Sequence, residues 1–244
     1  AGAPGSAPAH TLSDGTADWA LAARKASEQQ RQESAPPSRG VLAPGVIVRA
    51  PKGSRKNGDE LIADLFEACS DLGFVQDPLD GAEFVADLVM ESIPSLIVLV
   101  SFFDINAREF AVVRQVVAKG DGESLQPAIL SRASEFTPNI ARTMRSGRAV
   151  VFSASECAEL AKDPRWNALG IVPQTMVAAP VVFNGRFLGI VEVCNPVDGK
   201  KLSESDGHAL TYIGEQFGEF LAQRDLSVEP DYVKRPKLAQ LARR

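Results

Sequence analysis

A chain of 244 residues with 45% apolar content can bury one sizeable core or two small ones, and its net charge of −5 is unevenly spread. Residues 1–57 hold eight Lys/Arg against four Asp/Glu and residues 225–244 hold five against three, whereas residues 58–224 hold thirteen against twenty-four. An acidic body excludes a nucleic-acid surface, the absence of about 18–20 consecutive apolar residues excludes a membrane-spanning helix, and three cysteines without a CxxC pair exclude a disulfide framework.

Residues 1–57 are crowded with Ala, Gly, Pro and Ser and predict a disordered arm. Within it, Asp18 to Ser34 has helical character but only Trp19 and Leu21 as large apolar side chains, too little to stand alone. At Asp59 the pattern changes. Leu61, Ile62, Leu65, Phe66, Cys69 and Leu72 recur at helical spacing, with Asp59 as cap and Gly73 as stop. After a turn at Asp77-Pro78-Leu79-Asp80-Gly81, a second helix buries Phe84, Val85, Leu88, Val89 and Ile93 and ends at Pro94.

Ser95 to Phe103 is almost wholly apolar and reads as a strand covered on both faces; Asp104 to Ala107 turns the chain into a second strand, Glu109 to Val117, which makes an antiparallel hairpin. A loop at Lys119 to Glu123 follows. Phe136, Ile140 and Met144 mark a short helix that stops at Gly147 and feeds a strand, Arg148 to Phe152; Ser155 to Leu169 is a further helix around Leu160 and Trp166. Thr175 to Phe183, Asn184-Gly185 and Arg186 to Cys194 form a hairpin, because both turn positions of type I′ need positive φ. Counting outward from Phe183 opposite Arg186 places Pro180 opposite Gly189, at a non-hydrogen-bonded pair where a missing N–H costs nothing. The last helix starts at Ser203 with a capping box to Asp206 and buries Leu210, Ile213, Phe217, Phe220 and Leu221.

This order, and the stretch Val177 to Val193 with its in-strand Pro180 and its Gly189 after the turn, resembles the GAF domain family, as does Leu202-Ser203-Glu204-Ser205-Asp206 at the start of the final helix. The resemblance spans roughly Asp59 to Arg224. It implies an α/β (α+β) fold, an antiparallel sheet of about six strands with helices on both faces, and a role in small-molecule sensing, dimerisation or both. The expected organisation is an arm over 1–57, a GAF-like domain over 58–224 that folds alone, and a flexible basic tail over 225–244.

In cyclic-nucleotide-binding members of the family, Asn-Lys, Phe and Asp-Glu close the pocket. Here Asn195 and Asp206 match, but Pro196, Leu202 and Gly207 stand at the other positions, so the Lys–Asp tie is expected to be missing, Asn195 to be a turn former and Asp206 a cap. No Cys-His pair exists for a bilin. Cys157 and Cys194 lack the cysteine motifs of free methionine sulfoxide reductases and have no adjacent basic group. Two histidines, His10 and His208, offer neither a metal cluster nor a Ser-His-Asp constellation, and Gly120-Asp121-Gly122 lacks the rest of a dinucleotide fingerprint.

The resulting expectation is a cytoplasmic, non-catalytic signalling domain without a cofactor, acting as regulatory sensor or protein-interaction adaptor through an unidentified signalling partner protein. Its alternatives are a divergent GAF-fold thiol reductase and a ligand-free structural dimer module whose pocket is filled by its own side chains. A homodimer is expected through the apolar faces of the first and last helices, Leu61, Leu65, Phe66, Leu210, Phe217 and Leu221. On the opposite face of the sheet, the family places ligands, and Phe103, Phe136, Ile140, Arg142, Thr143, Met144, Trp166 and Thr175 are expected to line a small cavity for an apolar or aromatic ligand.

Overall fold

The structure, a computed structural model, describes residues 43–50, 55, 58–171 and 173–235, all within the unit that spans Leu42–Arg244. The expected helical segment at Asp18 to Ser34, with Trp19, lies outside the described residues. The chain runs β1 (Val46–Arg49), α1 (Gly58–Ser70), α2 (Pro78–Ser92), β2 (Ser95–Asp104), β3 (Glu109–Ala118), β4 (Arg132–Ser134), α3 (Pro138–Ser146), β5 (Val150–Phe152), α4 (Ala154–Cys157), α5 (Pro164–Leu169), β6 (Met176–Phe183), β7 (Arg186–Pro196), α6 (Glu204–Ala222) and α7 (Pro230–Val233). The strands form one seven-stranded sheet in the order β1-β3-β2-β7-β6-β5, with β4 also on β3. Every pairing is antiparallel except that of β1 with β3.

Strand alternation sorts side chains into two cores. Val98, Val100 and Phe102 of β2 join Val191 and Val193 of β7 in one core, under α1, α2 and α6. Ile97 and Leu99 join Ile190, Cys194 and Trp166 in the other, under α3, α4 and α5. Helices therefore cover both faces, as the α/β reading requires.

Several local readings are corrected. The helix α1 begins at Gly58, ahead of the expected cap Asp59, and its buried stripe is narrower than the six apolar residues suggest: Leu61, Leu65, Cys69 and Leu72 are buried, but Ile62 and Phe66 face solvent. Asp77 opens no turn; it caps α2, accepting hydrogen bonds from the backbone N–H of Leu79 and Asp80, with Pro78 at the first helical position. On α2, Val85 and Val89 are buried while Phe84 and Leu88 are half-buried. The loop after β3 contains a short 3₁₀ turn, Asp121–Ser124. Phe136 precedes α3 and is exposed, because Pro138 takes the first helical position. The helix expected over 155–169 is divided into α4, a 3₁₀ stretch and α5, with Asp163-Pro164 separating the last two.

Asn184 (φ 48°) and Gly185 (φ 76°) make the expected turn, and Phe183 faces Arg186. Leu188 then bulges out of the ladder, so Val181 faces Gly189 and Pro180 faces Ile190, one residue from the register counted on an unbroken hairpin. The structured chain also extends beyond both ends of 58–224. Arg49 of β1 donates to Asp87 of α2 at 2.9 and 2.6 Å. Beyond α6, Arg224 lies 3.6 Å from the centroid of the Phe220 ring and donates to the carbonyls of Val75 and Gln76, while Val228 and Val233 are buried.

Candidate functional site

The centre of the second sheet face carries a fully buried carboxylate, Glu192, between Ile190 and Cys194 of β7. Such a group is kept charged in a core only by a partner, and α5 supplies one. Asp163 caps α5 by accepting from the Arg165 N–H at 3.0 Å, and Pro164 sets the first turn, so that Arg165 turns its guanidinium down onto the sheet.

All five guanidinium N–H groups are used. Nε donates to Asp163 Oδ1 at 3.2 Å, Nη2 to Asp163 Oδ2 at 2.8 Å and Glu192 Oε1 at 3.0 Å, and Nη1 to Glu192 Oε2 at 2.7 Å and to Ser101 Oγ of β2 at 3.2 Å. Asn139 of α3 adds its amide, with Nδ2 donating to Asp163 Oδ2 at 3.1 Å and, at 3.5 Å, to Glu192 Oε1. Arg165, Asp163 and Glu192 each have 0% exposure.

Burial opposes the Arg165 charge, but Glu192 and Asp163 outweigh it and hold the guanidinium protonated above its ordinary pKa. Burial pushes Glu192 above the usual carboxylate range, Asp163 adds to the rise, and Arg165 offsets part of it. The Trp166 indole N–H also favours the Glu192 charge, although it makes no hydrogen bond of good geometry.

This arrangement occupies the face where a largely apolar cavity was expected. Of the expected lining residues, Ile140, Thr143 and Trp166 are buried on this face, and Phe103 and Met144 pack at its margin. Thr143 donates its hydroxyl to the carbonyl of Asn139. Thr175 is half-buried beside the β6 start, and its N–H, with that of Gln174, donates to Asn195 Oδ1. Phe136 and Arg142 point away: Phe136 is exposed under the Arg108 guanidinium, and Arg142 stacks on Phe152 and pairs with Glu156.

Sequence reading missed Arg165, Glu192, Asp163, Asn139 and Ser101. The available signal was a lone carboxylate in the apolar run Ile190-Val191-Glu192-Val193-Cys194, on the parity that faces the core.

A second buried ion cluster lies at the start of α6. Arg55 Nη1 donates to Asp206 Oδ2 at 2.9 Å and to the Lys201 carbonyl at 3.1 Å, and Nη2 donates to Asp198 Oδ1 at 2.8 Å. Asp206 also accepts from the N–H and hydroxyl of Ser203, completing the expected capping box. The cation judged missing when Pro196 replaced lysine is thus supplied to Asp206 by Arg55, from far upstream.

Cys69, Cys157 and Cys194 are free and buried. Burial pushes the Cys157 thiol up to about 11 and Cys194 well above its ordinary value. His208 is exposed on α6, and among the described residues no His, Cys, Asp or Glu group suits a metal ion. Of the six residues expected at a dimer interface, Leu61, Leu65, Leu210, Phe217 and Leu221 are buried in the first core, and Phe66 alone is exposed. No helix among the described residues is long and apolar enough to cross a membrane.

A seven-stranded sheet between two helical layers, with the Asn-Gly hairpin feeding a capped terminal helix, defines a GAF-type domain. Residues 85–221, more than half of the chain, match the GAF domain profile, and the chain belongs to that family. Solved structures agree on the fold. The GAF domain of an Acinetobacter phosphoenolpyruvate-protein phosphotransferase is 12% identical with a TM-score of 0.51, covering 68% of this chain and 95% of that one. Free methionine-R-sulfoxide reductase of Neisseria meningitidis, in complex with its substrate, is 14% identical with a TM-score of 0.51, covering 70% and 95%. The phycoerythrobilin-bound GAF domain of a cyanobacterial phytochrome is 12% identical with a TM-score of 0.52, covering 67% and 95%. No curated protein matches the chain by sequence.

Proposed function

We propose that this GAF domain is a non-catalytic regulatory module that acts by contacting a partner protein and does not take up a small molecule on the second face of its sheet. The observation that carries this reading is the Arg165 guanidinium, enclosed by Glu192, Asp163 and Ser101 with every donor used, on the sheet face where the family resemblance implies a ligand. An entering ligand would have to break these contacts and leave two carboxylates without their cation.

The alternative of a GAF-fold thiol reductase needs an accessible thiolate. Cys157 and Cys194 are wholly buried, and burial keeps both protonated at neutral pH. Three free thiols fit a reducing compartment such as the cytoplasm.

Native mass spectrometry of the full chain purified from its own host, joined to a thermal-shift screen of metabolites, tests the reading. The expected mass is that of the bare polypeptide, with no metabolite raising the melting temperature. A retained small molecule that protects the fold would replace the adaptor reading by a sensory one.

A further inference from the structure

The helices α1, α2 and α6, which cover the first face of the sheet, contain no Lys or Arg. From Gly58 to Ala107 the sequence has no basic residue at all, while Asp and Glu recur throughout. Cations from elsewhere serve the acids of α2: Arg49 reaches Asp87 and Glu83, and Arg235 reaches Asp77. On α1 the carboxylates of Glu67 and Asp71, the latter just past its end, are exposed and make no ion pair among the described residues.

The same segment also carries apolar groups that the fold leaves in water. Ile62 is 39% and Phe66 71% exposed, one helical turn apart, and Phe74 in the following 3₁₀ turn is 84% exposed. A large aromatic beside unpaired carboxylates makes little sense as packing, since α1 already buries Leu61, Leu65 and Cys69 against its neighbours. It makes sense as one half of an interface.

Charge selects the occupant. A second copy docked by a two-fold axis would bring α1 against α1 and set Glu67 and Asp71 against their own equivalents, with no Lys or Arg on α1, α2 or α6 to relieve them. An anionic membrane or an acidic protein is repelled for the same reason. We infer that the outer face of α1, Ile62 and Phe66 flanked by Glu67 and Asp71, docks a basic amphipathic segment of a partner protein, which offers an apolar stripe to the ridge and Lys/Arg to the acids. This names the partner class for the adaptor reading and rests on it.

The probe is a labelled 18-residue peptide of Leu and Lys, patterned to give one apolar helical face, titrated into the full chain and followed by fluorescence anisotropy and amide shifts. Saturable binding is expected at low salt, weakening as salt rises, with shifts centred on α1. Two variants test the face from different sides. I62S/F66S removes the ridge and E67K/D71K reverses the charge; because all four side chains are exposed, both are expected to fold, and each should weaken binding at least about tenfold.

Unchanged affinity in both variants, or equal binding of a peptide with Glu in place of Lys, overturns the inference. So does a dimer in light scattering of the wild type that becomes a monomer in I62S/F66S, which would give the face to a second copy. Failure here together with a bare polypeptide in the native mass spectrum leaves the adaptor reading standing with another surface.

Discussion

Arg165 joins three segments that are distant in sequence, and its removal would be felt at all of them. Arg165→Met keeps much of the length and volume but strands Asp163 and Glu192 in a core without a cation, which is expected to cost about 3–5 kcal/mol in urea unfolding. Adding Glu192→Gln should recover part of that loss, because one of the two stranded charges is gone. The single variant Glu192→Gln also tests the proton balance. Since burial raises the Glu192 pKa in the folded state, its contribution to stability is complete below the unfolded value of about 4.3 and is lost as pH rises through the folded one. Glu192→Gln should therefore flatten the decline of the urea midpoint above about pH 4, and an unaltered profile would show that Glu192 does not titrate as described. Little of this was legible in the sequence. Arg and Glu default to the surface, and nothing local tells that a guanidinium on one short helix meets a carboxylate on a strand twenty-seven positions on. For Trp166, next door, the sequence shows a large apolar side chain on an inward helix face, although a cavity wall was expected there and the side chain is fully buried.

At the scale of elements, what reads well is what is local. The Asn184-Gly185 turn, the Ser203 capping box and the Gly147 stop each depend on a few neighbouring residues, and each is where the sequence puts it. What reads poorly is set by a second element. The bulge at Leu188 occurs where Gly189 lies against β2 so closely that a Cβ there would sit 2.5 Å from the Ser101 carbonyl oxygen. The stripe of α1 was drawn too wide because apolar spacing shows that a face exists, not how much of it a neighbour covers. Two glycines of α6 make the point for packing. A Cβ at Gly214 would lie 2.7 Å from the Pro180 carbonyl oxygen, and one at Gly218 would overlap the Val182 carbonyl, so the helix rests directly on the β6 backbone. Alanine at Gly218 gains about 1 kcal/mol of helix propensity but must push α6 off the strand, and the expected balance is a loss of about 1–2 kcal/mol. Gly73→Ala, with nothing within 4 Å of its Cβ position, serves as the near-neutral control in the same urea titration. Should Gly218→Ala prove as stable as that control, the close contact of α6 with β6 is not what fixes the helix.

Across the whole described chain, structure ahead of residue 58 was not legible from composition: Ile47 and Val48 of β1 pack against the two cores, and charged side chains tie the same early segment to the rest of the fold. Val46–Arg49 adds a strand to β3, and Arg55 is buried at 5% exposure although it stands in a run of Lys, Gly, Ser and Asn that reads as a linker. Its guanidinium bridges Asp206 and Asp198 and reaches the Lys201 carbonyl, so one side chain joins the entry into α1 to the start of α6 across 151 positions of sequence. Asp206 has 0% exposure, so it depends on this cation and on Ser203 for all its partners. Arg55→Met would leave two carboxylates side by side with no positive charge, and a loss of about 3 kcal/mol is expected, near the lower end for breaking a buried pair because Asp198 retains some contact with water. Arg55→Lys keeps the charge but replaces a planar fork by a single ammonium that cannot span both aspartates and the carbonyl, so it should fall between the two. Asp198→Asn should cost less than Arg55→Met, since it removes one negative charge, keeps an oxygen that can accept from Arg55 and leaves the Arg55–Asp206 pair intact. Hydrogen exchange locates the effect: in Arg55→Met the amides of the first turn of α6, from Glu204 onward, should exchange faster, while those of the β6–β7 hairpin change only by the global loss. If Arg55→Met unfolds within about 0.5 kcal/mol of the wild type and the first turn of α6 keeps its protection, Ser203 alone holds that helix end and the upstream segment is not fastened through Arg55.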